Sequence, residues 1–257
     1  MRFVIYGAGA IGGLIGGCLH QAGHQVELIA RGPHLAAIQA SGLELVRGDE
    51  PAVTLPIRAV EGPDRLSWDE PAVVLLTVKS QDTEGALEAL EAVAPSETPI
   101  VCAQNGVANE RRAARRFANT YGLCVMCPAS HLEPGVVHGH STPVSGLLDL
   151  GRYPAGVDDT ARTVAGALRG ATFESEALTG VMRWKYRKLL TNLSNAVEAI
   201  CGAVGRGSQI DRLAVEEGGR VLRAAGIAVA TVEEDAARRG DILKLPRLGS
   251  STWGGGS

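Results

Sequence analysis

The stretch that decides the fold is Arg2-Phe3-Val4-Ile5-Tyr6-Gly7-Ala8-Gly9-Ala10-Ile11-Gly12, followed after a helix-length segment by Val26-Glu27-Leu28-Ile29-Ala30-Arg31. A short apolar run, a turn of small residues, a helix and a second apolar run make the dinucleotide-binding strand–turn–helix–strand unit. Gly7 permits the sharp exit from the strand, and Gly9 lets backbone approach a pyrophosphate. Gly12 brings the helix close to the sheet. The cofactor turn therefore comprises Gly7, Ala8, Gly9, Ala10, Ile11 and Gly12, with phosphate carried on the free N–H groups that open the helix. Glycine is common in this chain, 33 of 257 residues, so the spacing alone is weak. Its position directly after a strand and before a helix gives it weight. Gly13, Gly16 and Gly17 continue at helical spacing and read as close helix–sheet packing.

Arg31 closes the second strand. An NAD site usually places a carboxylate there to accept from the ribose 2′-hydroxyl, whereas an arginine suits the 2′-phosphate of NADP. The expected cofactor is NADP(H).

Working outward, Val73 to Val78 is a continuous apolar run, as a strand buried on both faces should be. It ends at Lys79-Ser80-Gln81. Pro99 to Ala103 is another, ending at Gln104-Asn105-Gly106. Helical patterns such as Thr83 to Val93 lie between, and that alternation implies a parallel, doubly wound α/β sheet. Gly7, Arg31, Lys79 and Asn105 all fall at strand C-terminal ends, where such sheets bind ligands. Residues from about 121 to 150 read as further short strands. Arg111-Arg112 and Arg115-Arg116 read as the solvated face of a helix. From about Leu178 the texture turns helical, which divides the chain into a Rossmann domain over 1–176 and a smaller all-helical domain over 177–257.

The charge balance excludes some function classes. Net charge is −3 and charged residues make up 21%, so no electrostatic case exists for nucleic acid. No apolar run reaches membrane-spanning length, and the N-terminus is not a signal peptide. Five scattered cysteines suit reduced thiols in a cytoplasm. Cys124-Val-Met-Cys127 matches C-x-x-C, but a redox pair normally opens a helix, and no second pair completes a zinc site. It reads as part of a buried strand, Gly122 to Cys127, with no metal expected. His131, His138 and His140 read as members of a strand-rich, surface-facing stretch.

Val181 to Cys201 holds no proline or glycine and forms one long helix. Lys188, Asn192 and Asn195 stand at i, i+4 and i+7, so they share a face. Asparagine is a poor mid-helix residue because its amide competes for backbone partners. A stripe of two asparagines and a lysine is either a solvated face or a site.

The ordered set of pieces resembles the ketopantoate reductase (2-dehydropantoate 2-reductase) family. The matching residues are Gly7 to Gly13, Thr77-Val78-Lys79-Ser80-Gln81, Gln104-Asn105-Gly106-Val107, His131-Leu132-Glu133-Pro134-Gly135, Trp184 to Asn192 and Gly249-Ser250-Ser251-Thr252-Trp253. The resemblance implies NADPH-dependent reduction of a 2-keto acid, with 2-dehydropantoate first among substrates, in pantothenate biosynthesis in the cytoplasm. Lys188 would give a proton to the keto oxygen. Asn192 would hold that oxygen or the adjacent hydroxyl, and Ser251 would bind the carboxylate. Lys79 and Asn105 would lie near ribose and nicotinamide, with Asn105 also touching substrate. Asn195 is a further substrate contact, although the family's second asparagine can fall one position later, at Ala196. Lys185 does not match the catalytic position. A homodimer is compatible with the family.

The resemblance also implies a longer C-terminal part, including a glutamate that contacts the substrate hydroxyl. Here Trp253 is followed by Gly254-Gly255-Gly256-Ser257, a linker-like or truncated end, so the helical domain reads as incomplete. The remaining alternatives are a related reductase acting on another keto or hydroxy acid and a catalytically weakened NADP-binding regulatory protein.

Overall fold

A computed structural model describes residues 1–242. Its main sheet has eight strands, built from β1 (Arg2–Tyr6), β2 (Gln25–Ile29), β5 (Arg58–Val60), β6 (Val73–Leu76), β7 (Ile100–Cys102), β8 (Thr120–Met126), β11 (Gly146–Arg152) and β12 (Phe173–Glu174). Their order is β12-β11-β8-β7-β6-β1-β2-β5. Pairing is parallel throughout except between β8 and β11. The chain turns one way from β1 to β2 and β5, and the other way to β6, β7 and β8. That reversal beside β1 is the topological switch point at which a crevice opens. The central strands are closed on both faces, which is why their sequences run apolar without alternation.

A second sheet lies outside what the sequence pattern predicts. β3 (Leu43–Arg47), β4 (Val53–Leu55), β9 (Ala129–Ser130) and β10 (Val136–Gly139) form it, in the order β4-β3-β10-β9. Helix α1 (Ala10–Gln21) lies between the two sheets. Its glycines divide accordingly. A Cβ on Gly16 would meet Leu28 and Ile5 of the main sheet. A Cβ on Gly13 would meet Val137, and one on Gly17 would meet Leu45 and Leu55, all in the small sheet. A helix pressed on two faces needs small residues on both, so the glycine run serves two interfaces rather than one.

The remaining helices are α2 (Gly32–Ser41), α3 (Thr83–Glu91), α4 (Asn109–Ala113), α5 (Asp159–Gly170), α6 (Val181–Cys201), α7 (Gln209–Ala224) and α8 (Val232–Arg239). The basic run expected on one helical face is split by the end of α4. Arg112 donates to the Ser80 carbonyl, while Arg116 lies beyond the helix and pairs with Glu84, Glu88 and Glu91 of α3. Three carboxylates on a facing helix hold that guanidinium, so these arginines brace α4 and its flank rather than form a bare face.

The three histidines lie, partly exposed, in the strand-rich stretch around β9 and β10, and their rings are paired. The His131 ring packs, tilted, against buried His34 with centroids 4.0 Å apart, and the His138 and His140 rings lie 6.4 Å apart. Cys124 lies within β8 and Cys127 one residue past its end, and burial raises both thiols, Cys124 to about 11. At physiological pH both are protonated, Cys124 in the core and Cys127 packed at its edge.

Helix α6 reaches the sheet through a pair of facing glycines. Gly122 of β8 and Gly151 of β11 are register partners. A Cβ at Gly122 would meet Met182 Sδ at 3.2 Å and Val181 Cγ1 at 3.3 Å, and one at Gly151 would run into the Leu178 carbonyl. The two missing side chains make the slot in which the first turn of α6 sits. Other ties hold its outer side. Arg183 pairs with Glu234 of α8, Arg187 donates to the Ala230 carbonyl, and Gly218 of α7 receives Leu190 and Leu193. The helical segment is thus fastened to the sheet rather than tethered beside it.

Candidate active site

Four strand ends stand side by side at the crevice, since β2, β1, β6 and β7 are adjacent and Ile29, Tyr6, Leu76 and Cys102 are in register. Gly7, Arg31, Lys79 and Asn105 each follow one of these ends within three residues. The expectation from sequence that they mark one edge of the sheet is met.

Gly7 has φ +110°, and a Cβ there would meet the Val78 amide nitrogen at 2.8 Å, so both backbone conformation and space require glycine. Gly12 closes the turn, where a Cβ would strike the Gly7 carbonyl. Gly9 differs, since a Cβ there would meet nothing within 4 Å. The protein itself does not require glycine at that position, and the open space beside it is where a pyrophosphate would approach. The first turn of α1 has no side-chain cap and no acidic residue. Its free N–H groups and positive dipole end therefore fit an anion. Arg31 is exposed at the start of α2, and its one ion pair among the described residues is with Asp82, at 3.3 Å. The residues present fit a phosphorylated dinucleotide.

A polar network that sequence reasoning misses joins the ends of β6 and β7. Gln104 Nε2 donates to the Val78 carbonyl at 2.6 Å and to Thr83 Oγ1 at 2.9 Å. Asn109 Nδ2 donates to Ser80 Oγ at 3.1 Å and to the Asn105 carbonyl at 3.3 Å. These bonds hold the Lys79 and Asn105 loops in one relative placement while leaving both side chains exposed. The available signal is a cluster of polar residues directly after an apolar strand.

On α6, Val181, Lys185, Lys188 and Asn192 share one stripe of a helix that packs against β8. Val181 is fully buried and Lys185 is 3% exposed. Lys185 Nζ lies 2.7 Å from the fully buried Glu110 carboxylate. It also donates to the carbonyls of Gln104 at 2.8 Å, Leu123 at 3.1 Å and Cys102 at 3.4 Å. Lys188, one turn on, lines a cleft with Asn105, Gly106, Leu123, Cys124 and Val125. Burial pushes its ammonium below the usual lysine range.

The structure therefore brings Lys188 and Asn105 to the same cleft. Asn192 is the next residue along the stripe, outside the lining of that cleft. Asn195 is taken up elsewhere, accepting from Arg206 Nη2 at 2.8 Å. Ser251 lies outside the described residues.

A family model described as ketopantoate reductase PanE/ApbA matches residues 3–154. This chain belongs to the ketopantoate reductase family. The 2-dehydropantoate 2-reductase of Pyrococcus horikoshii is 31% identical over 221 residues, covering 84% of this chain and 70% of that protein. The protein of the same name from Halobacterium salinarum is 30% identical, covering 93% of this chain and 80% of its own length. The crystal structure of a PanE/ApbA family ketopantoate reductase from Ralstonia eutropha JMP134 superposes with a TM-score of 0.80 at 27% identity, over 96% of this chain and 83% of that one. This ketopantoate reductase family member is thus an oxidoreductase by descent, with a Rossmann-type sheet and a helical C-terminal segment. Among its described residues, no helix is long and apolar enough to cross a membrane.

Proposed function

We propose that the chain reduces a 2-keto acid, 2-dehydropantoate first, using NADPH and a proton from Lys188. The observation that carries this reading is the placement of Lys188. A half-buried lysine lines a small cleft together with Asn105, which follows the end of β7 two strands from the glycine turn. The names borne by its relatives supply the substrate class.

NADPH, when bound, supplies the hydride. The rest is the work of the chain. Arg31, now paired with Asp82, would hold the 2′-phosphate, the Gly7–Gly12 turn would carry the pyrophosphate, and Lys79 and Asn105 would serve the ribose and nicotinamide. As negative charge develops on the keto oxygen, Lys188 Nζ stabilises it and donates a proton. Partial burial favours that transfer because loss of water penalises the charged ammonium more than the neutral amine left behind. Asn192 orients the oxygen or the neighbouring hydroxyl from the same rigid helix. Asn195 would join it only on release from Arg206, and Ser251 would bind the carboxylate.

The reading is tested by NADPH consumption with 2-dehydropantoate beside a panel of other 2-keto acids. Preference for 2-dehydropantoate supports the assignment. Turnover of another keto acid alone would move it to a related reductase, and NADPH binding without turnover of any would move it to a binding protein.

A further inference from the structure

His34 lies in the first turn of α2, three residues after Arg31, and is 9% exposed. Its ring sits between two backbone groups of opposite character. The Gly135 N–H donates to Nδ1 at 2.9 Å, and Nε2 lies 2.7 Å from the Ala8 carbonyl. Since Gly135 offers only a proton, Nδ1 must present a lone pair. Since Ala8 offers only an oxygen, Nε2 must carry the hydrogen. The surroundings accept one form of the ring, the neutral Nε2–H tautomer.

Two of the three segments joined by this ring belong to the proposed cofactor site, and the third is the His131–Gly135 loop. Ala8 is the second residue of the glycine turn, and its N–H is already bound to the Ile29 carbonyl at 3.1 Å. His34 therefore takes up the carbonyl of a residue whose N–H is already held. Helix α2 carries Arg31 at its start. Gly135, whose φ is +83°, packs against Ala37 of α2 and ends the His131–Gly135 loop.

We propose that His34 is a positioning residue for the cofactor turn, and that it acts only as the neutral ring. A second proton would place an N–H against the Gly135 N–H, breaking the link between the loop and α2. The His131 ring is the titratable group that faces His34, and its Nδ1 is turned to the Val136 carbonyl at 3.0 Å. Charge on His131 would oppose charge on His34 and so acts in the same direction. Arg31 and Glu133 lie on the same two segments but are exposed. Burial, the largest influence on the ring, also holds His34 below the usual histidine range. Dinucleotide affinity is therefore full while the ring is neutral and falls as pH drops below the ring's own pKa, which burial places under the ordinary histidine value.

This inference rests on the reading of Gly7–Gly12 as the dinucleotide turn. The test is direct binding of NADPH and of NADH between pH 5 and 8, for the unaltered chain and for His34→Gln. NADH matters because it lacks the 2′-phosphate, whose own titration near pH 6 would otherwise intrude. The amide introduced by His34→Gln can donate to the Ala8 carbonyl but does not titrate. The expected result is weakening of both dinucleotides at low pH, approaching about tenfold per pH unit at most. His34→Gln should bind within about threefold of the original at pH 7.5 and show no pH dependence with NADH. A flat NADH profile in the unaltered chain, or the same slope in His34→Gln, would overturn the proposal. A chain that binds neither dinucleotide at pH 7.5 removes the cofactor reading itself, and the inference with it.

Discussion

Lys185 Nζ lies 2.7 Å from the Glu110 carboxylate, with both side chains closed to solvent, while Lys188 one turn away makes no hydrogen bond or ion pair among the described residues. Two lysines on one helix face are thus given opposite surroundings. Lys185 has a counter-ion and three carbonyls, so its charge is satisfied and its position fixed. Lys188 is half-buried with no such contacts, and burial outweighs the nearby Asp235 charge, which favours release of its proton. A structural cation and the proposed proton donor are separated by a single helical turn.

Removing the structural cation should be costly. Lys185→Met leaves the Glu110 charge buried alone and should lower stability by about 3–5 kcal/mol, read by denaturant unfolding. Replacing both partners with apolar residues should recover much of that loss. A single-variant loss below about 1 kcal/mol, the scale of an exposed pair, would contradict the anchoring role.

The glycine slot gives a different kind of variant. Gly122→Val places atoms against Val181 and Met182, so the first turn of α6 must lift from the sheet. Turnover should fall while NADPH binding holds, because the Gly7 turn lies on other strands. Equal losses in both would mean that the slot supports the whole sheet rather than the pose of the helix.

Burial of Lys188 has a cost that its replacement should reveal. A lysine whose pKa is lowered on folding lowers stability at neutral pH, because the unfolded chain holds the proton more tightly. The cost is full below the folded pKa and fades as pH rises towards the ordinary lysine value of 10.5. Lys188→Met should therefore raise Tm at pH 7, and the gain should shrink between the folded pKa and pH 10.5. An unchanged or lower Tm at pH 7 would argue that the ammonium is well accommodated where it stands.

Arg31→Ala should separate the two dinucleotides. The loss of charge-assisted bonds to a 2′-phosphate should weaken NADPH by about 10- to 100-fold and leave NADH nearly unchanged. Parallel weakening of both, measured by direct binding, would show that Arg31 shapes the α2 start and does not read the phosphate.

The parts of this molecule legible in its sequence are those governed by local pattern. The β1–α1–β2 unit is read from an apolar run, glycines at fixed spacing and a second run. Helix α6 is read from twenty-one residues without glycine or proline, with the bounds expected. The strand ends at Lys79 and Asn105 are read from buried runs that stop at polar residues. What the pattern does not show depends on pairing at a distance. The small sheet joins Leu43–Arg47 to Val136–Gly139 by parallel pairing across ninety-odd residues of chain, and neither strand is long enough to announce itself. The partnership of Lys185 with Glu110, and of His34 with Ala8 and Gly135, likewise arises only when separate elements meet. In sequence Lys185 is a spare lysine because its neighbours are all on α6, whereas its partners come from α4, β8 and the end of β7.

The central claim is that Lys188 supplies the proton to the keto oxygen. The most direct measurement is NADPH-dependent reduction of 2-dehydropantoate by Lys188→Ala, with NADPH affinity determined on the same protein. The account predicts a fall in kcat of at least about a hundredfold, the ordinary contribution of a positioned general acid, with NADPH affinity retained. A Lys188→Ala chain that turns over at the original rate would contradict it.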